Sequence, residues 1–146
     1  MLVFQSVSMP ELSPRVKDHQ VSYDFPNVLV DHAMRNPPIR PGFWRGVNVN
    51  QNAIYLESFM DELAHAAGRD PLEFRMAHLK DNPKSAAVLK AVAEESGWGK
   101  QDGMSRGLAV LYAFGSYVAA CAEVTVDDAG KLKMHRIVAA TDCGTA

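Results

Sequence analysis

Chemistry needs acids, bases, nucleophiles or ligands at workable spacing, and this sequence offers few of them. Glu57, Asp61 and Glu62 recur at helical spacing, and paired carboxylates are one way to do general acid–base work. No nucleophile or ligand accompanies them, so they read as a solvated or salt-bridged helix face. His65 and His78 also fall on helical patterns, with no carboxylate or cysteine at ligand spacing, and read as surface or packing residues. Cys121 and Cys143 make no Cys–x–x–Cys pair and no zinc spacing with the five histidines, so no metal site is expected. Cys121 fits a buried strand position; a disulfide between the two stays open. Asn48, Asn50, Gln51 and Asn52 crowd the start of a helix, where side-chain amides cap and turn the chain. The free N–H groups of the same helix start would also suit a phosphate. Trp44 and Trp98 read as core anchors rather than substrate platforms.

These residues must be held by elements whose outline is legible. Residues 1–18 carry no period and contain Pro10 and Pro14, which suggests a loosely ordered arm. Residues 19–48 combine short β-rich runs, Gln20 to Tyr23 and Val28 to Met34, with the proline-rich connection Asn36–Pro37–Pro38–Ile39–Arg40–Pro41–Gly42. Residues 49–97 are helical. Ile54, Met60, Leu63 and Ala67 form an apolar stripe flanked by Phe59, and Gly68 sits where a left-handed C-cap belongs. Asp70–Pro71–Leu72–Glu73 restarts a helix with cap, first-turn proline and a capping-box acid, and Leu72, Met76 and Leu79 give its apolar face. A third helix begins near Pro83, carries Val88, Leu89 and Val92, and ends near Gly97. From residue 104 to 146 the period becomes two, with runs Gly107 to Phe114, Tyr117 to Val126 and Lys131 to Ala140 around an Asp127–Gly130 turn. The expectation is one partial α+β domain: short strands, a three-helix segment, then an antiparallel hairpin or small sheet.

Composition narrows the function classes. Fifteen basic against seventeen acidic residues leave a net charge of −2, with no electrostatic footprint for nucleic acid. The longest apolar run, Leu108 to Val118, falls well short of the roughly 20 residues of a membrane span. Met1–Leu2–Val3–Phe4 lacks the basic flank of a cleavable signal. The sequence stops on Asp142–Cys143–Gly144–Thr145–Ala146, directly after a strand pattern, which suggests a piece of something longer.

A set of motifs in a fixed order carries a resemblance. Phe43–Trp44–Arg45–Gly46 runs into Glu57–Ser58–Phe59–Met60–Asp61–Glu62–Leu63–Ala64, then Gly68–Arg69–Asp70–Pro71–Leu72–Glu73–Phe74–Arg75. Phe114–Gly115–Ser116–Tyr117 follows, and then Asp142–Cys143–Gly144–Thr145. In this order they resemble the large subunit of the xanthine oxidase and aldehyde oxidase superfamily, nearest to the branch of the isoquinoline 1-oxidoreductase beta subunits. The short stretch between Arg75 and Ser116 favours that branch over xanthine dehydrogenases proper. Coverage is most of residues 40–146.

The resemblance implies an internal fragment of a molybdenum cofactor-binding domain. Its parent would hydroxylate N-heterocyclic aromatics with water as oxygen source, using molybdenum on molybdopterin cytosine dinucleotide. The implied partners are the remainder of the large subunit and a small subunit with two 2Fe–2S clusters. By position, Arg45 matches an arginine that stabilises negative charge developing on the substrate; a guanidinium held in a dry pocket suits that task. The alternative is a structural arginine bonding backbone carbonyls, and Val47 departs from the aromatic found there in xanthine-type relatives. Gln51, Gly144 and Thr145 match positions near the pterin, Gly144 permitting close backbone approach and Thr145 offering a hydroxyl. The general-base glutamate lies downstream and is absent from this chain, so the fragment alone should bind no cofactor and be inactive. Two other readings stand: an aldehyde dehydrogenase of the same superfamily, or a non-catalytic assembly or binding module. The apolar surface near Leu108–Ala122 suggests self-association of the isolated chain. Relatives of this branch often resemble exported or membrane-associated proteins, which leaves localisation open.

Overall fold

The computed structural model describes residues 2–5, 22–31, 38–40, 42–46 and 49–145. Element order is β1 (Leu2–Gln5), β2 (Val28–Asp31), α1 (Val49–Ala66), α2 (Pro71–Ala77), α3 (Pro83–Ser96), β3 (Ser105–Ala113), β4 (Ser116–Val126) and β5 (Leu132–Asp142). The α+β expectation is met, with three helices followed by an antiparallel sheet of order β3-β4-β5.

The first residues depart from the sequence reading. Leu2–Gln5 is a strand, paired in parallel with β2 from Leu2↔Val28 to Gln5↔Asp31. Four residues are too few to establish a period, and the partner lies far along the chain, so neither local signal announces it. Ser22 and Tyr23 lie outside any strand, against the run expected over Gln20 to Tyr23. The segment is held by distant partners instead: Asp24 N–H donates to the His78 carbonyl at 2.7 Å, and the Asn82 amide donates to the Ser22 carbonyl at 2.7 Å. Most of the expected arm, and residues 32–34 of the second expected strand, lie outside the described residues.

Helix ends follow the residue chemistry. Val49 N–H donates to the Gly46 carbonyl at 2.8 Å, opening α1 from a turn in which Gly46 has φ +82°. At its other end Gly68 adopts φ +62°, and Arg69 N–H reaches back to the Ala64 carbonyl at 2.9 Å. Asp70 caps α2, its Oδ1 accepting from Leu72 N–H at 2.8 Å and Glu73 N–H at 3.0 Å. Gly97 closes α3 in the left-handed region.

The buried face of α1 is Leu56, Met60 and Ala64, a spacing of four, and includes Glu57. Met60 was expected there, but Ile54 is 65% exposed and Ala67 is exposed as well. The true stripe contains a carboxylate, which an apolar template passes over. Phe74, Leu79, Val88, Leu89 and Val92 pack beneath it against Leu108, Val110, Ala119 and Cys121 of the sheet. Cys121 is fully buried and Cys143 exposed, and neither is in a disulfide. Trp98 packs against this core, as expected. Trp44 does not: it is 76% exposed, in a turn whose neighbours Phe43 and Arg45 are exposed as well. No helix among the described residues is long and apolar enough to cross a membrane.

Asp70 also accepts the Trp98 indole N–H at 2.9 Å, so one side chain both starts α2 and ties it to the end of α3. Replacing it with alanine should cost about 1–2 kcal/mol of stability, a strong N-cap's worth. The check is urea denaturation with Trp98 fluorescence, which should shift to the red in Asp70→Ala and move less in Asp70→Asn.

Candidate functional site

One end of the sheet gathers the last two motifs. β3 and β4 join through Phe114 and Gly115, both at positive φ (52° and 81°), the geometry of a two-residue hairpin turn that matches strand twist. Phe114 is costly there twice over, as a bulky left-handed residue and as a hydrophobe 78% exposed. Beside it Tyr117 pairs with Asp142, which brings the Asp142–Thr145 turn next to the Ser116–Tyr117 motif. Asp142 Oδ1 accepts Gly144 N–H at 2.9 Å, and its Oδ2 lies 3.7 Å from Lys84 Nζ. Lys84 in turn stands 5.5 Å over the Tyr117 ring, whose centroid is 4.6 Å from that of Tyr112. Gly144 has φ +86°, and among the described residues no non-neighbouring atom lies within 4 Å of where a Cβ would stand, so they leave its backbone approachable. Thr145 and Cys143 are exposed on the same turn. Lys84 and Tyr112 carry no signal of their own in the sequence, because only the packing of α3 on the sheet and the pairing of β3 with β4 bring them to this turn.

The other candidates sit at the start of α1. Arg45 is exposed, and its carbonyl accepts the Asn50 amide at 3.1 Å. Asn50 thereby does the turn chemistry expected of it, packing where a Cβ on Gly46 would collide at 2.8 Å. Gln51 is exposed on the first turn and Asn52 half-buried; Val47 and Asn48 lie outside the described residues. Among the described residues no hydrogen bond or ion pair joins Arg45 or Gln51 to Gly144 or Thr145. The chain thus presents two separate polar edges, one at each motif. No group of three His, Cys, Asp or Glu side chains among the described residues could hold a metal ion. His65 is exposed, while His78 is half-buried between Phe25 and Phe74 at 5.1 and 4.7 Å, a packing residue.

The carboxylates of α1 have different fates. Glu62 is solvated, but Glu57 is buried together with Arg75, which is 0% exposed. Arg75 Nε donates to Glu57 Oε2 at 3.1 Å, and its remaining nitrogens reach Asp61 at 2.6 Å and the carbonyls of Pro71 and Glu57. Tyr23 Oη donates to Glu57 at 2.9 Å, and Val110 N–H donates at 3.1 Å. Burial pushes the Glu57 carboxyl above the ordinary glutamate value, against the opposing pull of Arg75, Tyr23 and the Val110 amide. Burial also pushes the Tyr23 phenol far up, with Glu57 adding to the effect, so it stays a donor. All four groups are satisfied by one another, and this is structural chemistry. The sequence signal was present: Glu57 and Arg75 are the outer ends of two adjoining motifs.

A second ladder runs along the helix side of the sheet. Arg106 grips Asp102 at 2.6 Å and approaches Glu123 at 3.4 Å, and Arg136 donates to Glu123 at 2.7 Å and to the Ser96 carbonyl at 3.4 Å. Hydrogen bonds from Arg106, then the Met104 amide, hold Asp102 down to about 2. Arg136 first, and Arg106 after it, hold Glu123 below the usual glutamate range against partial burial.

Comparison with known proteins gives these elements a family. The chain is homologous to a segment of oxidoreductase subunits. It is 33% identical over 130 residues, 85% of its length, to the beta subunit of isoquinoline 1-oxidoreductase from Brevundimonas diminuta. It is 34% identical over 142 residues, 84% of its length, to the B subunit of nicotinate dehydrogenase from Pseudomonas putida. The resemblance carried by the motifs is borne out: the chain is similar to a segment of both of these subunits. It spans only 17% and 12% of the length of these two relatives, and an internal fragment of a large subunit fits. Each relative is named as one subunit among others, so both enzymes are multi-subunit. No family model and no solved structure matches the chain.

Two tests follow from the ion pairs. Arg75→Met leaves Glu57 and Asp61 without their cation and should destabilise by about 3–5 kcal/mol, whereas Tyr23→Phe should cost about 1–2 kcal/mol. Chemical denaturation of both variants measures the difference. For Asp102 and Glu123 the folded-state pKa lies below the unfolded values of roughly 4. Their contribution is therefore complete above about pH 4 and is lost as pH falls, for Asp102 through about 2. The urea midpoint should fall over that window, and Arg106→Leu should flatten the slope there.

Proposed function

We propose that the chain is a segment of the molybdopterin-binding large subunit of a molybdenum hydroxylase that oxidises an electron-poor N-heteroaromatic ring. The observation that carries this is the identity over some 85% of the chain to two subunits whose names each contain a nitrogen heteroaromatic compound. That pair favours an N-heterocycle over an aldehyde as the parent's substrate class.

The residues present fit contact with an organic cofactor better than ligation of a bare metal ion. Gly144 leaves open space above its Cα, Thr145 presents an exposed hydroxyl, and Gln51 an exposed amide on the first turn of an 18-residue helix. These would meet the polar edges of a molybdopterin cytosine dinucleotide. When bound, that group supplies the oxygen transfer and takes up the electrons, which the parent's small iron–sulfur subunit would carry away. Arg45, at the exposed turn with Phe43 and Trp44, would orient the ring and stabilise negative charge on it once other parts of the subunit exclude water from the turn. The proton-accepting glutamate belongs to the part of the subunit outside this chain, so the chain alone would be inactive.

An antibody to the chain should capture from source cells a polypeptide several times heavier than 16.0 kDa that contains molybdenum. It should hydroxylate an N-heteroaromatic ring with oxygen from labelled water. In that enzyme Arg45→Ala should lower kcat by about 100-fold with a small change in KM. A captured polypeptide of this chain's own length would refute the proposal. Turnover of aldehydes alone would move the substrate class to the other branch of the superfamily.

A further inference from the structure

The three-stranded sheet carries the charged side chains of its paired strand residues on one face, the face that also meets the core. An antiparallel sheet with one face on the core ordinarily places apolar residues inward and charged residues outward. Here Arg106, Glu123, Arg136 and Asp142 all share the face that carries Leu108, Val110 and Cys121 toward the helices, as strand alternation and register require. The opposite face carries no charged residue. Its middle row, Ala109–Ala120–Ala139, is made of small side chains directly opposite one another in register. Larger apolar groups stand on either side, Val118 toward the hairpin tip and Met134 and Ile137 toward the other end, exposed by 38%, 49% and 62%. Among the described residues no other element packs there: the sheet's helix contacts are made by α3 and α1 on the charged face.

Size decides what could cover it. Strands of nine to eleven residues, three abreast, make a face of roughly 30 by 14 Å, or about 400 Å². A stable complex between separate molecules needs about 800 Å² on each partner. A second copy of this chain on this face would thus be held weakly. A layer tethered in the same polypeptide needs no such area, because the tether supplies a millimolar effective concentration. The two relatives are about six and eight times longer than the region they share with this chain.

We propose that the uncharged face of this sheet is an internal interface, covered by an apolar layer from another part of the same large-subunit polypeptide. This rests on the reading of the chain as a segment of such a subunit. The small central row lets the covering layer approach closely, and the walls at Val118, Met134 and Ile137 set its lateral position.

Cysteine accessibility tests it. In a Cys143→Ser background, Ala139→Cys probes the face and Ala129→Cys in the exposed β4–β5 turn is the control; Ile137→Cys is a second probe should Ala139→Cys fold poorly. Each is placed both in the 146-residue chain and in the polypeptide captured from source cells, and treated under native conditions with a maleimide. Labelling is then read on the tryptic peptide by mass spectrometry. In the 146-residue chain, probe and control should label at the same rate. In the longer polypeptide the probe should label at least tenfold more slowly than the control. Equal rates in the longer polypeptide would overturn the internal interface while leaving the functional proposal standing. A source polypeptide of only 16.0 kDa would instead overturn the functional proposal, and this inference with it. Protection of the probe in the 146-residue chain that rises with concentration, together with a dimer in sedimentation, would overturn the internal interface and assign the face to a second copy.

Discussion

The arrangement depends on burying an arginine. Arg75 has no contact with solvent, and its charge is tolerable only because Glu57, Asp61 and two carbonyls surround the guanidinium. Glu57 is in turn completed by Tyr23 from the N-terminal segment and by the Val110 amide of β3. One carboxylate therefore joins four stretches of chain that are remote in sequence. Removing Arg75 would leave unmet buried charge, whose cost of several kcal/mol exceeds what a single apolar contact returns, while removing Tyr23 would take away one of Glu57's hydrogen bonds. Helices and sheet are coupled through polar geometry, which is more exacting about position than hydrophobic packing.

That coupling explains why the sheet's charges face inward. Arg106, Glu123 and Arg136 form the second polar tie, running from the Asp102 turn across the strands to the carbonyl that ends α3. With its charges committed to holding the helices, the sheet's other side is left to small and aliphatic residues. Near the hairpin tip Asp142 has two tasks, meeting Lys84 from α3 and shaping the turn that carries Gly144 and Thr145.

Much of this was legible in the sequence. The caps at Gly68, Asp70 and Gly97, the switch of period after Gly103 and the Asp127–Gly130 turn rest on local chemistry, and local chemistry can be read from one chain. What escaped depends on distant partners. Leu2–Gln5 becomes a strand only because Val28–Asp31 lies beside it. Glu57 reads as a surface acid until Arg75 is folded against it, and Ile54 reads as core until that pair claims the helix face. Trp44 differs too: size and aromaticity argue for burial, but it stands exposed with Phe43 and Arg45 in the turn before α1. Of the candidate site, the motifs were visible and their juxtaposition at Tyr117 and Asp142 was not.

The irregularity between Glu123 and Val124 bears on how this sequence can change over evolutionary time. Glu123 pairs with Arg136 and Val124 with Met134, so His135 is an extra residue, and its ring meets Thr125 Oγ1 at 2.8 Å. Because side chains alternate, leaving that single residue out of the pairing keeps Arg136 on the charged face while Met134 and Leu132 remain on the uncharged one. Pairing His135 with Val124 in a regular ladder would shift the stretch by one and drive Lys133 onto the apolar side, whereas deleting His135 would leave the pairing of Met134, Lys133 and Leu132 as it is. This hairpin can therefore shorten by one residue at His135 without reversing either face, while a one-residue change inside the regular stretch Tyr117–Glu123 would turn charged side chains onto the apolar side.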